Sequence, residues 1–113
     1  MRTVKGVDDN MGRIINCLKE SGQYDNTIII YTSDQSMMLG EHDYIDKRWM
    51  YDESMRMPFI VRHPVKEDAP QINDVVANNT DFAPFMLELA GQTAPEFMQG
   101  KSFAPVLDNH PLC

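Results

Sequence analysis

Four side chains between residues 34 and 47 offer the chemistry this sequence can perform: Asp34, Gln35, His42 and Lys47. Asp34 ends an apolar run, and a carboxylate there is costly to desolvate without a cation, a basic side chain or backbone donors. Gln35 adds a carbonyl oxygen next to it. A carboxylate plus an amide oxygen suits a hard divalent cation, although calcium takes about 6–8 oxygen ligands, more than two residues supply. His42 and Lys47 share the loop that begins at Asp34. A cation, an ammonium and an imidazole converging on one point would bind an anion and stabilise charge on its oxygens. Each residue also has a plain structural use. Asp34 can close a turn, a lone His is commonly a surface group, and a lone Lys is commonly solvated.

The elements around this loop must place it. Val4, Val7, Met11, Ile14, Ile15 and Leu18 recur at helical spacing and predict an amphipathic helix over 3–20, with Gly22 as its left-handed stop. The β-branched run 27–32 lacks polar alternation, so it reads as a strand covered on both faces, as in a parallel sheet. Gly40 and the polar residues around it make 33–48 a structured loop. A short helix is expected over 49–55 and a strand over 59–61 behind Pro58, the strand position that proline tolerates. Residues 63–74 read as loop and 75–77 as a short strand. Thr80 is the expected N-cap of a helix buried through Phe82, Phe85, Met86 and Leu89 and ended by Gly91. The order predicts an α/β chain, and three such strands need neighbours on both sides. The chain thus reads as a piece of a larger sheet.

Composition narrows the partners. The 113 residues carry a net charge of −7, the reverse of the basic balance of nucleic-acid binders. No apolar run is long enough to span a membrane. Cys17 and Cys113 form neither a disulfide framework nor a zinc spacing, and Cys17 reads as a small buried apolar side chain.

The string TSDQSMMLGEHDYIDKRWMYDESMRMPFIVRHP resembles the sulfatase family, whose members carry S-D-(N/H/Q)-G-x-x-L-G-E-H-x-x-x-x-K-x-x-x-Y-E-E-S-x-R-x-P-x-I-V-R. Ser33, Asp34, Gln35, Gly40, Glu41, His42, Lys47, Tyr51, Glu53, Ser54, Arg56 and Pro58 fall in register. The flanks VDDNMGRIINCLKESGQYDNTIII, NNTDFAPFMLELAG and MQGKSFAPVL are similar to family segments as well. The resemblance implies a partial alkaline-phosphatase-like sandwich, an incomplete and mostly parallel sheet flanked by helices. It implies sulfuric ester hydrolysis, calcium held in part by Asp34 and Gln35, and sulfate held by Lys47 with His42 close to the substrate. The Asp-Gln pair with K-R-W-M-Y looks most like sulfatases of sulfated sugars, of the N-acetylglucosamine-6-sulfatase and iduronate-sulfatase types.

Departures from the pattern matter too. The family nucleophile is a formylglycine made within a C/S-x-P-S/x-R motif, whereas Cys17 sits in NCLKES. Asp8-Asp9 lies in a helical stretch and does not take the role of the family's early aspartate pair. Residues 1–113 are therefore expected to be a fragment of a sulfatase catalytic domain, without the half that carries the nucleophile and inactive alone. The alternatives are a non-catalytic sulfatase-like binding protein and a phosphodiesterase-like relative. Ser36 and Asp43 stand where the family often has Gly, so a positive φ at either would be strained.

Overall fold

A computed structural model describes residues 2–65, 72 and 75–108. The described residues belong to two compact units, Met1–Glu67 and Asp68–Cys113.

The first unit opens with helix α1, Arg2–Glu20. It ends as the sequence predicts. Gly22 takes φ 68°, Gln23 N–H donates to Leu18 O at 2.9 Å, and Gly22 N–H donates to Lys19 O at 3.1 Å. Those two bonds form the Schellman closure that a Cβ-free residue permits. A single 3-10 turn, Tyr24–Asn26, leads to strand β1, Ile29–Tyr31. After the loop come helix α2, Asp52–Met55, and strand β2, Ile60–Arg62.

β1 and β2 pair antiparallel, with Ile29 opposite Arg62, Ile30 opposite Val61 and Tyr31 opposite Ile60. The α/β class expected from the sequence holds. The one pairing among the described residues is nevertheless antiparallel, an arrangement that otherwise parallel sheets often accept at an edge. Arg62 fastens β2 to the turn before β1. Its guanidinium lies 3.7 Å from the centre of the Tyr24 ring, donates to Tyr24 O, and donates to Thr27 O at 3.1 Å.

The expected burial does not follow from this pairing. No residue of α1 is buried, Val4 is 73% exposed, and β1 is half-buried along its length. An open apolar cleft of about 460 Å³ lies between α1 and the sheet, bounded by Val4, Val7 and Ile15 on one side and Ile29, Tyr31 and Ile60 on the other. Cys17, expected inside, is an exposed free thiol, because the helix presses too little surface against the sheet to cover it.

The second unit is built on helix α3, Phe82–Leu89, entered through a 3-10 turn at Asn79–Asp81. The cap is Asn78, two residues before the expected Thr80. Its side chain accepts from the backbone of Asp81, whose carboxylate accepts in return from Asn78 N–H at 2.8 Å. That reciprocal pair is a capping box, which Thr80 has no acid at the right spacing to make. The other Asp81 oxygen accepts from Lys101 N–H at 2.8 Å, tying the tail to the helix start. Phe85 is fully buried, stacked on Phe103 with ring centres 4.1 Å apart, and Phe82 meets Phe103 edge-on. Gly91 closes α3 at φ 71°.

Residues 75–77, expected as a strand, have no regular structure. Of the loop expected over 63–74, residues 66–71, 73 and 74 lie outside the described residues, as does Cys113. No helix among the described residues is long and apolar enough to cross a membrane.

Candidate functional site

The chain leaves β1 through Thr32 and Ser33 and turns sharply. Ser33 Oγ donates to Gln35 O at 2.9 Å and also approaches Asp34 Oδ1 at 3.4 Å. Short hydroxyl side chains close turns in this way by bonding two residues on. The turn leaves Asp34 and Gln35 exposed at the end of the strand.

From Gln35 to Lys47 the loop folds back on itself through three cross-links. Gln35 Nε2 donates to Lys47 O at 2.5 Å, Met38 N–H to Asp46 O at 2.9 Å, and Gly40 N–H to Tyr44 O at 3.0 Å. Met38 is fully buried and anchors the fold-back, while Leu39 and Ile45 beside it are 77% and 76% exposed. Asp46 Oδ1 accepts from Lys47 N–H at 2.7 Å and lies 3.7 Å from Arg48 Nε. Gln35 thus has a structural use beyond the oxygen expected of it, since its amide nitrogen holds the backbone of Lys47 in place.

The tip of the loop is strained. Gly40 has φ 130°, and the two residues His42 and Asp43 have φ 56° and 61°. A left-handed non-glycine residue costs of order 1–3 kcal/mol and survives only where its surroundings dictate it. Asp43 fits the expectation for a position that favours glycine. Ser36 is not among the positive-φ residues, so replacing glycine there carries no such cost. His42 was not foreseen.

Two groups dictate the tip. Glu41 Oε2 accepts from Leu39 N–H at 2.5 Å. Its carboxyl is held below the ordinary value of 4.5 chiefly by its own backbone N–H and then by that of Leu39, with a smaller contribution from the charge of His42. The His42 ring stacks on Tyr51, with centres 4.2 Å apart and planes 16° from parallel, and its Nε2 lies 3.6 Å from Glu53 Oε2. Tyr51 and Glu53 flank the start of α2, so the loop tip is pinned to the helix. Sequence reasoning gave Glu41, Tyr51 and Glu53 no role. The only available signal was the fixed order G-E-H before Y-x-E, which shows that the residues recur together but not that they touch.

The structure therefore brings Gln35 against the backbone of Lys47 and His42 against Tyr51 and Glu53. Among the described residues the Lys47 ammonium makes no ion pair, and no cluster of three or more His, Cys, Asp and Glu side chains could hold a metal by itself. The donor set fits part of an oxygen shell. Asp34 offers a carboxylate, and Gln35, with its nitrogen engaged, has an amide oxygen of the type a hard cation accepts. Asp8 and Asp9 lie on the surface of α1, the helical placement read from the sequence, and Asp9 pairs with Lys5 at 2.9 Å.

Comparison with known proteins places this geometry in a family. Residues 40–112 match the model of the C-terminal region of N-sulphoglucosamine sulphohydrolase. An N-acetylglucosamine-6-O-sulfatase of Bacteroides thetaiotaomicron is 49% identical over 96% of the chain, and the chain spans 20% of that protein. An extracellular sulfatase SULF-1 homologue of Drosophila melanogaster is 37% identical over 95% of the chain and is covered to 10%.

A protein solved in complex with its substrate, D-glucosamine-2-N,6-O-disulfate, superposes with TM-score 0.89 at 50% identity, over 95% of this chain and 22% of that one. A phosphonate monoester hydrolase of Silicibacter pomeroyi superposes with TM-score 0.80 at 34% identity, over 94% of this chain and 21% of its own. The 113 residues thus span about a fifth or less of the length of these relatives. Sulfatases and their alkaline-phosphatase-like relatives are metalloenzymes, and sulfatases are sulfuric ester hydrolases. The chain belongs to the sulfatase family and corresponds to the C-terminal part of a sulfatase.

Proposed function

We propose that this chain supplies one side of a sulfatase active site, in which Asp34 and Gln35 hold part of a calcium ion and Lys47 binds the sulfate of a sulfated sugar. The observation that carries the reading is the bond from the Gln35 amide to the Lys47 carbonyl. It joins the expected metal ligand to the expected anion ligand across twelve residues, so that one moves with the other. The substrate class is argued from the relatives, one an N-acetylglucosamine-6-O-sulfatase and another seen with a disulfated glucosamine.

In this reading the Lys47 ammonium donates to the non-bridging oxygens of the ester and offsets their charge. His42, held flat against Tyr51 and close to Glu53, presents its imidazole in one orientation to a substrate oxygen at the rim. Asp34 and Gln35 lend oxygens to the cation, which when bound polarises sulfate oxygens as a Lewis acid. The remaining ligands and the nucleophile are assigned to sequence outside these 113 residues, so the chain alone is a fragment of the catalytic domain and turns over no ester.

Calcium calorimetry tests the reading. With only part of the ligand shell, the chain should bind calcium weakly but with measurable heat, and Asp34→Asn should abolish it. Unchanged binding in that variant would remove the metal assignment. In parallel, clear turnover of a chromogenic aryl sulfate by the pure chain with calcium would contradict the assignment of the nucleophile elsewhere. The similarity to a phosphonate monoester hydrolase supports a second reading, a phosphoester-type hydrolase on the same frame. Stronger binding of methyl phosphonate than of methyl sulfate would favour it.

A further inference from the structure

We propose that Tyr44 and Trp49 form a stacking platform for the pyranose ring of a sulfated sugar whose sulfate is held by Lys47. This inference rests on the reading of Lys47 given above and extends it from the anion to the sugar.

The two rings lie 5.3 Å apart at 34° to one another. Trp49 is 50% exposed and Tyr44 42% exposed, so each keeps a large part of its surface in solvent. The neighbouring pair is exposed to a similar degree, Tyr51 at 40% and the His42 side chain at 47%, and differs in geometry. His42 and Tyr51 lie nearly parallel at 4.2 Å, whereas the rings of Tyr44 and Trp49 are farther apart and tilted, so neither is fully stacked on the other.

Position sharpens the contrast. Tyr44 sits where its carbonyl closes the fold-back against Gly40, and Trp49 follows Lys47 by two residues. Lys47 and Arg48 therefore lie between the two aromatics along the chain, both exposed. Two part-exposed aromatics beside two adjacent cations suit an amphipathic ligand, which meets both groups at once. A pyranose offers a face of C–H bonds to the rings, and its sulfate offers oxygens to the ammonium. A free sulfate ion or a small alkyl ester would use the cation alone.

Trp49 is the chain's single tryptophan, so its emission reports on this place and no other. Titration of the chain with glucosamine 6-sulfate in calcium buffer should shift Trp49 emission saturably. Methyl sulfate should bind through Lys47 with a smaller optical change. Tyr44→Ala should weaken glucosamine 6-sulfate roughly tenfold, the order expected for one lost aromatic contact, and Tyr44→Phe should restore it.

Methyl sulfate binding, read by calorimetry, should change less than about twofold in both variants, because the anion contact is intact. Trp49→Leu, also read by calorimetry, keeps bulk without a flat ring and should lose the sugar preference. The platform is overturned if Lys47→Gln removes glucosamine 6-sulfate binding while Tyr44→Ala and Trp49→Leu leave it unchanged. In that case the anion reading survives alone. If neither methyl sulfate nor glucosamine 6-sulfate binds the chain, the reading of Lys47 fails and the platform fails with it.

Discussion

The loop at 34–53 and the aromatic knot at 78–104 are held in place by different means. The knot depends on burial. Phe85 and Phe103 stack out of solvent, and Gly100 packs so tightly that a Cβ there would lie 2.0 Å from Thr80 O. The loop buries Met38 alone and leaves most of its other side chains in water, yet a ladder of backbone bonds and one amide cross-link fix its path. Burial gives stability without leaving groups free to react. Hydrogen bonding of an exposed loop gives less stability but keeps Asp34, Gln35 and Lys47 accessible in a defined order. The contrast is that of a scaffold and a proposed site.

The contrast can be broken most forcefully at Gly100. Gly100→Ala drives a methyl into the Thr80 carbonyl, a backbone group that cannot step aside without moving the helix start, and should cost about 3 kcal/mol. Thermal melts followed by circular dichroism should show the loss, and a near-normal melt would mean the knot is looser than drawn. Asp81→Ala comes next. It removes the capping box and the bond from Lys101 N–H and should cost about 2 kcal/mol, again by thermal melt, while leaving loop resonances at 34–47 in place. A change in those resonances would couple the two regions and weaken the contrast.

The smallest effect belongs to the loop itself. The Glu41 carboxyl is depressed below 4.5 in the folded chain, so its contribution is fully present above that value and is lost as pH falls through the folded one. The amide signal of Leu39, which donates to Glu41, should titrate with a midpoint below 4.5 and should lose that step in Glu41→Gln. A midpoint at or above 4.5 would show that the brace is not formed.

Much of the frame was legible because its signals are local. The 3.6-residue pattern of α1, the glycine stops at 22 and 91 and the apolar face of α3 each depend on neighbours in sequence. What was not legible depends on partners far along the chain. Nothing in the run before Tyr31 says that its neighbour, Ile60, runs the opposite way. The buried face expected for α1 needs a surface pressed against it, and the cleft beside Ile15 and Ile29 shows how little of one meets it. At the cap, Asn78 with Asp81 competes with Thr80, and only the three-residue spacing to the acid decides between them.

The site divides in the same way. Asp34, Gln35, His42 and Lys47 were visible as residue types suited to a cation and an anion. The bond from Gln35 to Lys47 and the stacking of His42 on Tyr51 were not, since a turn at left-handed His42 and Asp43 must first fold the loop back.

The central claim is that Asp34, Gln35 and Lys47 act as one pocket for a divalent cation and a sulfate ester. The direct measurement is nitrogen-15 NMR of the chain titrated with methyl sulfate, with and without calcium. The account predicts that calcium shifts Asp34 and Gln35, that methyl sulfate then shifts Lys47 and the Gln35 side-chain amide together, and that Lys47→Gln abolishes the second response. Methyl sulfate shifts confined to residues elsewhere, with Lys47 and Gln35 unmoved, would contradict it.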